Sequence, residues 1–159
     1  MAHHRRVLSA AYRITGSMAD AEDVAQSVFL RVATSNEPVT NAGSYLYRAA
    51  INGALDLLRR RKTRPTDPLE DAASIAAEGH GSSPEAQVSS KELGDFLRAA
   101  IGELSPRAAE MFILRYVEEH GNREIATMMG TSQAVVAVTL HNARSRLKKR
   151  LSELERGKR

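Results

Sequence analysis

The stretch SPRAAEMFILRYVEEHGNREIATMMGTSQAVVAVTLHNARSRLKKR, residues 105–150, decides the fold. It divides into three helices separated by two short turns. Ser105 is a good N-cap, and Pro106 takes the first helical position, where its missing N–H has no partner to lose. The spacing then predicts a helix that buries Ala109, Phe112, Ile113, Tyr116 and Val117. His120-Gly121 ends it. Asn122 is expected to cap a short helix carrying Ile125, Ala126 and Met129. Gly130 closes that helix, and Thr131-Ser132 opens a long one. Two helices joined by a tight Gly-containing turn, the second ending in cations, make a helix-turn-helix pattern.

At 159 residues the chain has room for one domain or two small ones. Cysteine is absent, which excludes disulfides and thiol chemistry and suggests a reducing compartment. No apolar run approaches the ~18 residues of a membrane helix. The N-terminus, MAHHRR, leads into an amphipathic helix rather than the apolar core of a signal peptide, so a cytoplasmic protein is expected. No strand-like alternation occurs, and the class is all-α.

Charge divides the chain. Residues 1–65 hold 10 Lys/Arg against 5 Asp/Glu, residues 66–90 hold none against 5, and residues 91–159 hold 13 against 9. Two basic segments flanking an acidic one suggest a polyanion partner, although modest excess charge is also common on solvated helices.

In the N-terminal segment, residues 3–15 read as a helix with Val7, Leu8, Ala11 and Tyr12 on one face. Gly16-Ser17 turns the chain. A second helix covers about residues 18–33, with Ala21, Val24, Ala25, Val28 and Val32 inward and Phe29 beside them. Its other face shows Asp20, Glu22, Asp23, Gln26 and Ser27. Acids in a first turn favour the helix dipole, so capping of a surface helix accounts for them on spacing alone. After the polar loop TSNEPVTN (34–41), a third helix over residues 42–62 can turn Tyr45, Ala49, Leu57 and Leu58 to the core. It ends in Arg59, Arg60, Arg61, Lys62 and, just beyond, Arg64; five cations within six residues exceed what capping needs. They suit phosphate contact, with Tyr45, Tyr47, Asn52 and Asp56 nearby as polar or stacking groups.

Residues 66–90, with GHGSSP and no Lys or Arg, read as a flexible acidic linker. The expected domains are therefore 1–65 and 91–159, the second a four-helix domain opening with Leu93, Phe96, Leu97, Ala100, Ile101 and Leu104 on one face. No catalytic constellation, metal-ligand spacing or phosphate-cradling loop is present, so neither an enzyme nor a cofactor or metal site is expected.

Two separated stretches together resemble the extracytoplasmic-function (ECF) subfamily of bacterial RNA polymerase sigma factors. The first is AYRITGSMADAEDVAQSVFLRV (11–32) followed by SYLYRAAINGALDLLRRRK (44–62), in which D-A-E-D-x-x-Q-x-x-F-L is the more specific signal. The second is LSPRAAEMFILRYVEEHGNREIATMMGTS (104–132) followed by LHNARSRLKKRL (140–151). The resemblance implies that the first domain docks on the clamp helices of the polymerase's largest subunit through Asp20, Glu22, Asp23, Gln26 and Leu30. It implies capture of a melted −10 element by Tyr45, Asn52, Asp56, Arg59, Arg60, Arg61 and Lys62. It implies that the second domain reads a −35 element through Arg123, Ser132, Gln133, Ala134, Val138, His141, Asn142, Arg144, Arg146, Lys148 and Lys149, near the flap of the second-largest subunit. Core RNA polymerase, promoter DNA and an anti-sigma factor are the partners it implies.

The chain departs from the family at two places. Members commonly carry basic or hydroxyl residues where Ala137, Val138 and Thr139 stand, and often Arg at Asn142. Val138 and Ala134 suit thymine methyls, and Gln133 or Asn142 suits adenine edges; the alternative is that Val138 packs on a protein surface. The first helix is also short, so either the first domain is abbreviated or the true start lies upstream. Two other function classes stay open at this point: a helix-turn-helix regulator acting without polymerase, and a helical interaction module that has lost DNA binding.

Overall fold

The computed structural model of the chain describes residues 2–63 and 84–157. Among the described residues there are seven α-helices and no strand. They are α1 (Ala2–Thr15), α2 (Met18–Thr34), α3 (Ala42–Thr63), α4 (Pro84–Gly102), α5 (Pro106–Tyr116), α6 (Asn122–Met129) and α7 (Gln133–Gly157). The chain divides into two compact units, Met1–Ala99 and Ala100–Arg159, so the division falls inside α4. Most of the stretch read as a linker, residues 66–83 of 66–90, lies outside the described residues. Its last part, from Pro84, is helical, and Pro at a first helical position forfeits no hydrogen bond there.

In the first unit, α1, α2 and α3 pack on one another. Apart from Leu46, their shared core is made of small and β-branched side chains: Val7, Ala11, Ala21, Val24, Ala25, Val28 and Ala50. Ser17 caps α2, its Oγ accepting from the Asp20 N–H at 3.3 Å. α3 differs from the reading of its sequence. Leu46, Tyr47, Ala50, Ile51, Ala54, Leu55 and Leu58 are buried, whereas Tyr45 is exposed. The helix meets both α1 and α2, so its buried face is wider than a single stripe and its centre lies away from Tyr45. Arg98 of α4 donates from Nε to the Ile14 carbonyl at 3.1 Å, satisfying one of the acceptors that the end of α1 leaves open.

In the second unit, α5 packs on α6 and α7, and α6 on α7. Ser105 caps α5 as expected, accepting from the Ala108 N–H at 3.3 Å. The buried residues of α5 are Ala109, Glu110, Met111, Ile113 and Leu114; Tyr116 is exposed and Phe112 half-buried, their rings 4.8 Å apart. A helix covered by two neighbours buries more than one stripe, which is why Met111 and Leu114 displace Tyr116. α4 contributes Ala100 and Ile101 to this unit, and Leu104 follows, all buried; Leu93 and Leu97, expected on the same inward face, stay exposed. The cap of α6 also differs. Gly121 is the extended residue (φ −75°, ψ 159°), so Asn122 is already inside the helix, past the capping position, and its Oδ1 is buried without a hydrogen-bond partner.

Gly130 ends α6 in the left-handed region (φ 64°, ψ 43°), its N–H bonding back to Ala126 and Thr127. Ser132 Oγ then accepts from the Val135 N–H at 3.2 Å and starts α7. A Cβ at Gly130 would meet nothing within 4 Å, so any side chain there is opposed by backbone strain alone. Gly130→Ala is expected to destabilise the chain by about 1–2 kcal/mol in denaturant unfolding, and Gly130→Asn by less, because Asn tolerates this conformation.

Candidate functional site

Both units display a face whose residues come from one or two helices held by buried stripes. On α2 the stripe Ala21, Val24, Ala25, Val28 is buried, so the opposite side must face solvent. Glu22, Asp23, Gln26 and Leu30 are all exposed there, Leu30 at 66%. They form one acidic and apolar surface along about two turns. Among the described residues nothing packs over the exposed leucine beside these two acids.

Asp20 does not share that surface. Its side chain is only 14% exposed and pairs with Arg61 of α3. Other cations at the end of α3 are also engaged. Arg60 Nη2 lies 2.9 Å from Asp56 Oδ2. Arg59 is half-buried, with Nε and Nη2 shielded and without a hydrogen-bond partner. The Lys62 side chain lies outside the described residues. Tyr45, Asn52 and Asp56 are exposed on α3. Tyr47 is buried instead, its ring 4.1 Å beneath the Arg6 guanidinium, so it offers no stacking platform. The two tyrosines stand about 160° apart on α3, Tyr47 in the middle of its buried face and Tyr45 on the side away from it.

On α7, Val136, Leu140 and Ala143 are buried. Ser132, Gln133, Ala134, Ala137, Val138, His141, Asn142, Arg144, Arg146, Lys148 and Lys149 are exposed, Val138 at 61%. From Gln133 to Ala143 the helix carries no Lys, Arg, Asp or Glu. Its cations begin at Arg144, six residues on, which is ~9 Å along the axis from Val138. Arg144 contacts the Tyr116 hydroxyl, with its guanidinium 5.9 Å from that ring's centre. Arg146 and Lys149 border a groove of about 360 Å³ that also holds Glu103, Arg150 and Glu153. Arg150 bridges Glu103 at 2.9 Å and Glu153 at 3.3 Å. Arg123 is exposed on α6. Val135, 43% exposed, widens the apolar surface beyond the residues expected from sequence; its position three residues before Val138 was the available signal.

Among the described residues no group of three or more His, Asp or Glu is placed to hold a metal ion, and no helix is long and apolar enough to cross a membrane.

Known proteins match both parts of the chain. A family model for sigma-70 region 2 matches residues 1–64, and one for sigma-70 region 4 matches residues 97–147. The ECF RNA polymerase sigma factor SigE of Mycolicibacterium smegmatis is 33% identical over 155 residues, spanning 95% of this chain and 59% of that protein. The ECF RNA polymerase sigma factor SigW of Bacillus subtilis is 27% identical over 161 residues, spanning 94% of this chain and 84% of that one. The chain is thus equivalent to about three fifths of the length of the first relative and most of the second. The fold is similar to that of the sigma factor RpoE from Bartonella quintana, solved in complex with the anti-sigma factor NepR: the TM-score is 0.52 at 21% identity, covering 94% of this chain and 92% of that one. The chain belongs to the sigma-70 family, in its ECF branch.

The turn before α6 carries a titrating contact. His120 Nδ1 lies 3.0 Å from Glu124 Oε2, and the hydrogen bond to His120, then that from the Gly121 N–H, holds the Glu124 carboxyl below its ordinary range. A lowered folded value means that the stabilisation is present above the ordinary glutamate range and lost as pH falls through the folded value. The NMR-detected titration of Glu124 is expected to lie lower in the native chain than in His120→Ala.

Proposed function

We propose that this ECF family member is a promoter-specificity subunit. It binds core RNA polymerase, directs it to promoters with two elements and helps open the −10 element. It carries out no reaction of its own and acts in the cytoplasm, where polymerase and promoters are. Residues 1–65 serve docking and −10 capture, residues 66–90 connect, and residues 91–159 serve the −35 element.

The observation that carries this reading is the solvent-facing surface of α2. Glu22, Asp23, Gln26 and Leu30 are exposed together, opposite a fully packed stripe. A regulator that binds duplex DNA alone has no use for an acidic face, which DNA repels. A basic coiled coil, such as the polymerase clamp helices, is attracted to it, and Leu30 supplies an apolar anchor at its edge. The same face suits an anti-sigma factor, which would act by covering it.

On α3, exposed Tyr45 and Asn52 suit stacking and hydrogen bonding to an unpaired base. On α7 the N-terminal half enters the groove and the C-terminal cations meet phosphates, as a helix-turn-helix requires. The uncharged surface of Ala134, Val135 and Val138 favours the methyl edge of thymine over guanine, whose acceptors call for Arg or Lys.

Reconstitution of the full chain with core polymerase, followed by selection of transcribed promoters, tests the reading. A stable complex is expected, weakened at least tenfold by Glu22→Lys with Asp23→Lys; the absence of any complex overturns it. Binding of the complex to duplex promoter DNA is expected to fall with salt at about 0.9 logarithmic units per neutralised phosphate. Replacing the thymine opposite Val138 by uracil, which lacks only the methyl group, is expected to weaken binding about fourfold, equivalent to ~0.8 kcal/mol for one buried methyl-sized group. In Val138→Ser that difference is expected to vanish.

A further inference from the structure

We infer that Asp20 and Arg61 form a positioning pair that fixes the docking helix on α3, and that neither meets the partner its position in the sequence suggests. The inference rests on the reading of α2 as the polymerase-docking helix.

Helical geometry separates both residues from their expected faces. At ~100° per residue, Glu22, Asp23, Gln26 and Leu30 fall within an arc of about 100° on α2, and Asp20 lies about 60° outside it. It is displaced towards α3, and of the buried residues of α2 Val24 is nearest to it in angle, about 40° away. On α3, Tyr45, Asn52 and Asp56 fall within about 40° of one another, whereas Arg61 lies about 140–180° away from them. That places Arg61 on the line of Ala50, Ala54 and Leu58, the side packed within the unit. The two displaced residues meet across 41 positions of sequence.

Burial agrees with this. Asp20 is 14% exposed and Arg61 43%, whereas Glu22 and Asp23 are exposed and, among the described residues, have no such partner across the helices. Close approach explains how the ends reach. Gly53 of α3 faces α2, and a Cβ there would stand 3.1 Å from Val24 Cγ1. The helices therefore pack tightly two turns before Arg61, and the pair closes the seam at its end. The Asp20 carboxylate also lies in the first turn of α2, beside the N–H that Ser17 caps, where the helix dipole favours it. Arg61 thus orients the docking surface through Asp20 and does not hold a phosphate.

Charge exchange separates this role from direct contact. Full-length variants are titrated against core polymerase, with unfolding of the free chain followed in parallel. Asp20→Lys and Arg61→Glu are each expected to weaken core binding about fivefold, and the double variant to return within twofold of wild type. Asp23→Lys is expected to weaken it tenfold or more, with no recovery when Arg61→Glu is added. Arg61→Gln is expected to leave the salt dependence of holoenzyme binding to single-stranded −10 DNA unchanged. A double variant as weak as Asp20→Lys overturns the inference, as does a salt slope reduced by about 0.7 in Arg61→Gln, the share of one phosphate on a single strand. If Asp20→Lys does not fold, Asp20→Asn combined with Arg61→Gln carries the test: non-additive midpoints support the pair, and additive ones overturn it. Failure of wild type to bind core would instead reject the docking reading, while the coupling in free-chain unfolding still decides the pair.

Discussion

The arrangement of the first unit depends on how closely three helices can approach. Ala10, Ala11, Ala21, Ala25, Ala50 and Ala54 are all essentially inaccessible, and Gly53 stands where even one more carbon would press on Val24. Small side chains bring the helix axes together, so the core holds by many short contacts rather than by a few large ones. Such a seam tolerates little rotation. Turning α2 by one residue would drive Glu22 or Asp20 into a dry layer of alanines, where a carboxylate has nothing to solvate it. The acidic surface is therefore held in place by what lies behind it. Its own charges repel one another and would not select that orientation.

The second unit solves a related problem with backbone. α6 is only eight residues long, too short to be stable alone, and is held between α5 and α7 by Ile125 and Ala126. Gly130 reverses the chain in the left-handed region. Glu119 (φ 61°) does the same before α6 without being glycine, so the turn there is maintained against local preference by the hydrogen bonds around it: His120 N–H to Leu114 O at 2.8 Å and Arg115 Nη1 to His120 O at 3.3 Å. With both turns set, the buried stripe Val136, Leu140, Ala143 leaves α7 only one surface to display.

Helix positions were legible in the sequence because period and punctuation agree: Gly16-Ser17 before α2, Ser105-Pro106 before α5, and Gly130 after α6 all fall where the structure has them. The stripes of α2 and α7, each packed from one side, were legible too. Where a helix is covered from two sides, the sequence misled. Period alone puts Tyr45 and Tyr116 inside, where the structure leaves both exposed, and it passes over buried Met111 and Leu114. Amphipathic reading assumes one buried arc, and α3 and α5 have wider ones. Leu93 and Leu97 show the converse, an apolar stripe that this chain leaves exposed. The Asp20–Arg61 pair had no local signal at all, since only the packing of α2 on α3 brings those positions together.

That last case bears on how charge should be counted in such a chain. Five cations in six residues at the end of α3 suggest a strong phosphate stripe, but among the described residues Arg60 and Arg61 already face carboxylates. On α7, Arg150 faces two, and Arg144 lies against Tyr116. A cation can bind phosphate only by leaving such a partner or sharing it, and a half-buried acid like Asp20 is costly to abandon. An exposed pair such as Arg60–Asp56 gives way easily, since its net stability is small. Exposure of the acid, rather than the number of arginines, therefore separates the cations that DNA can recruit from those that hold the protein together.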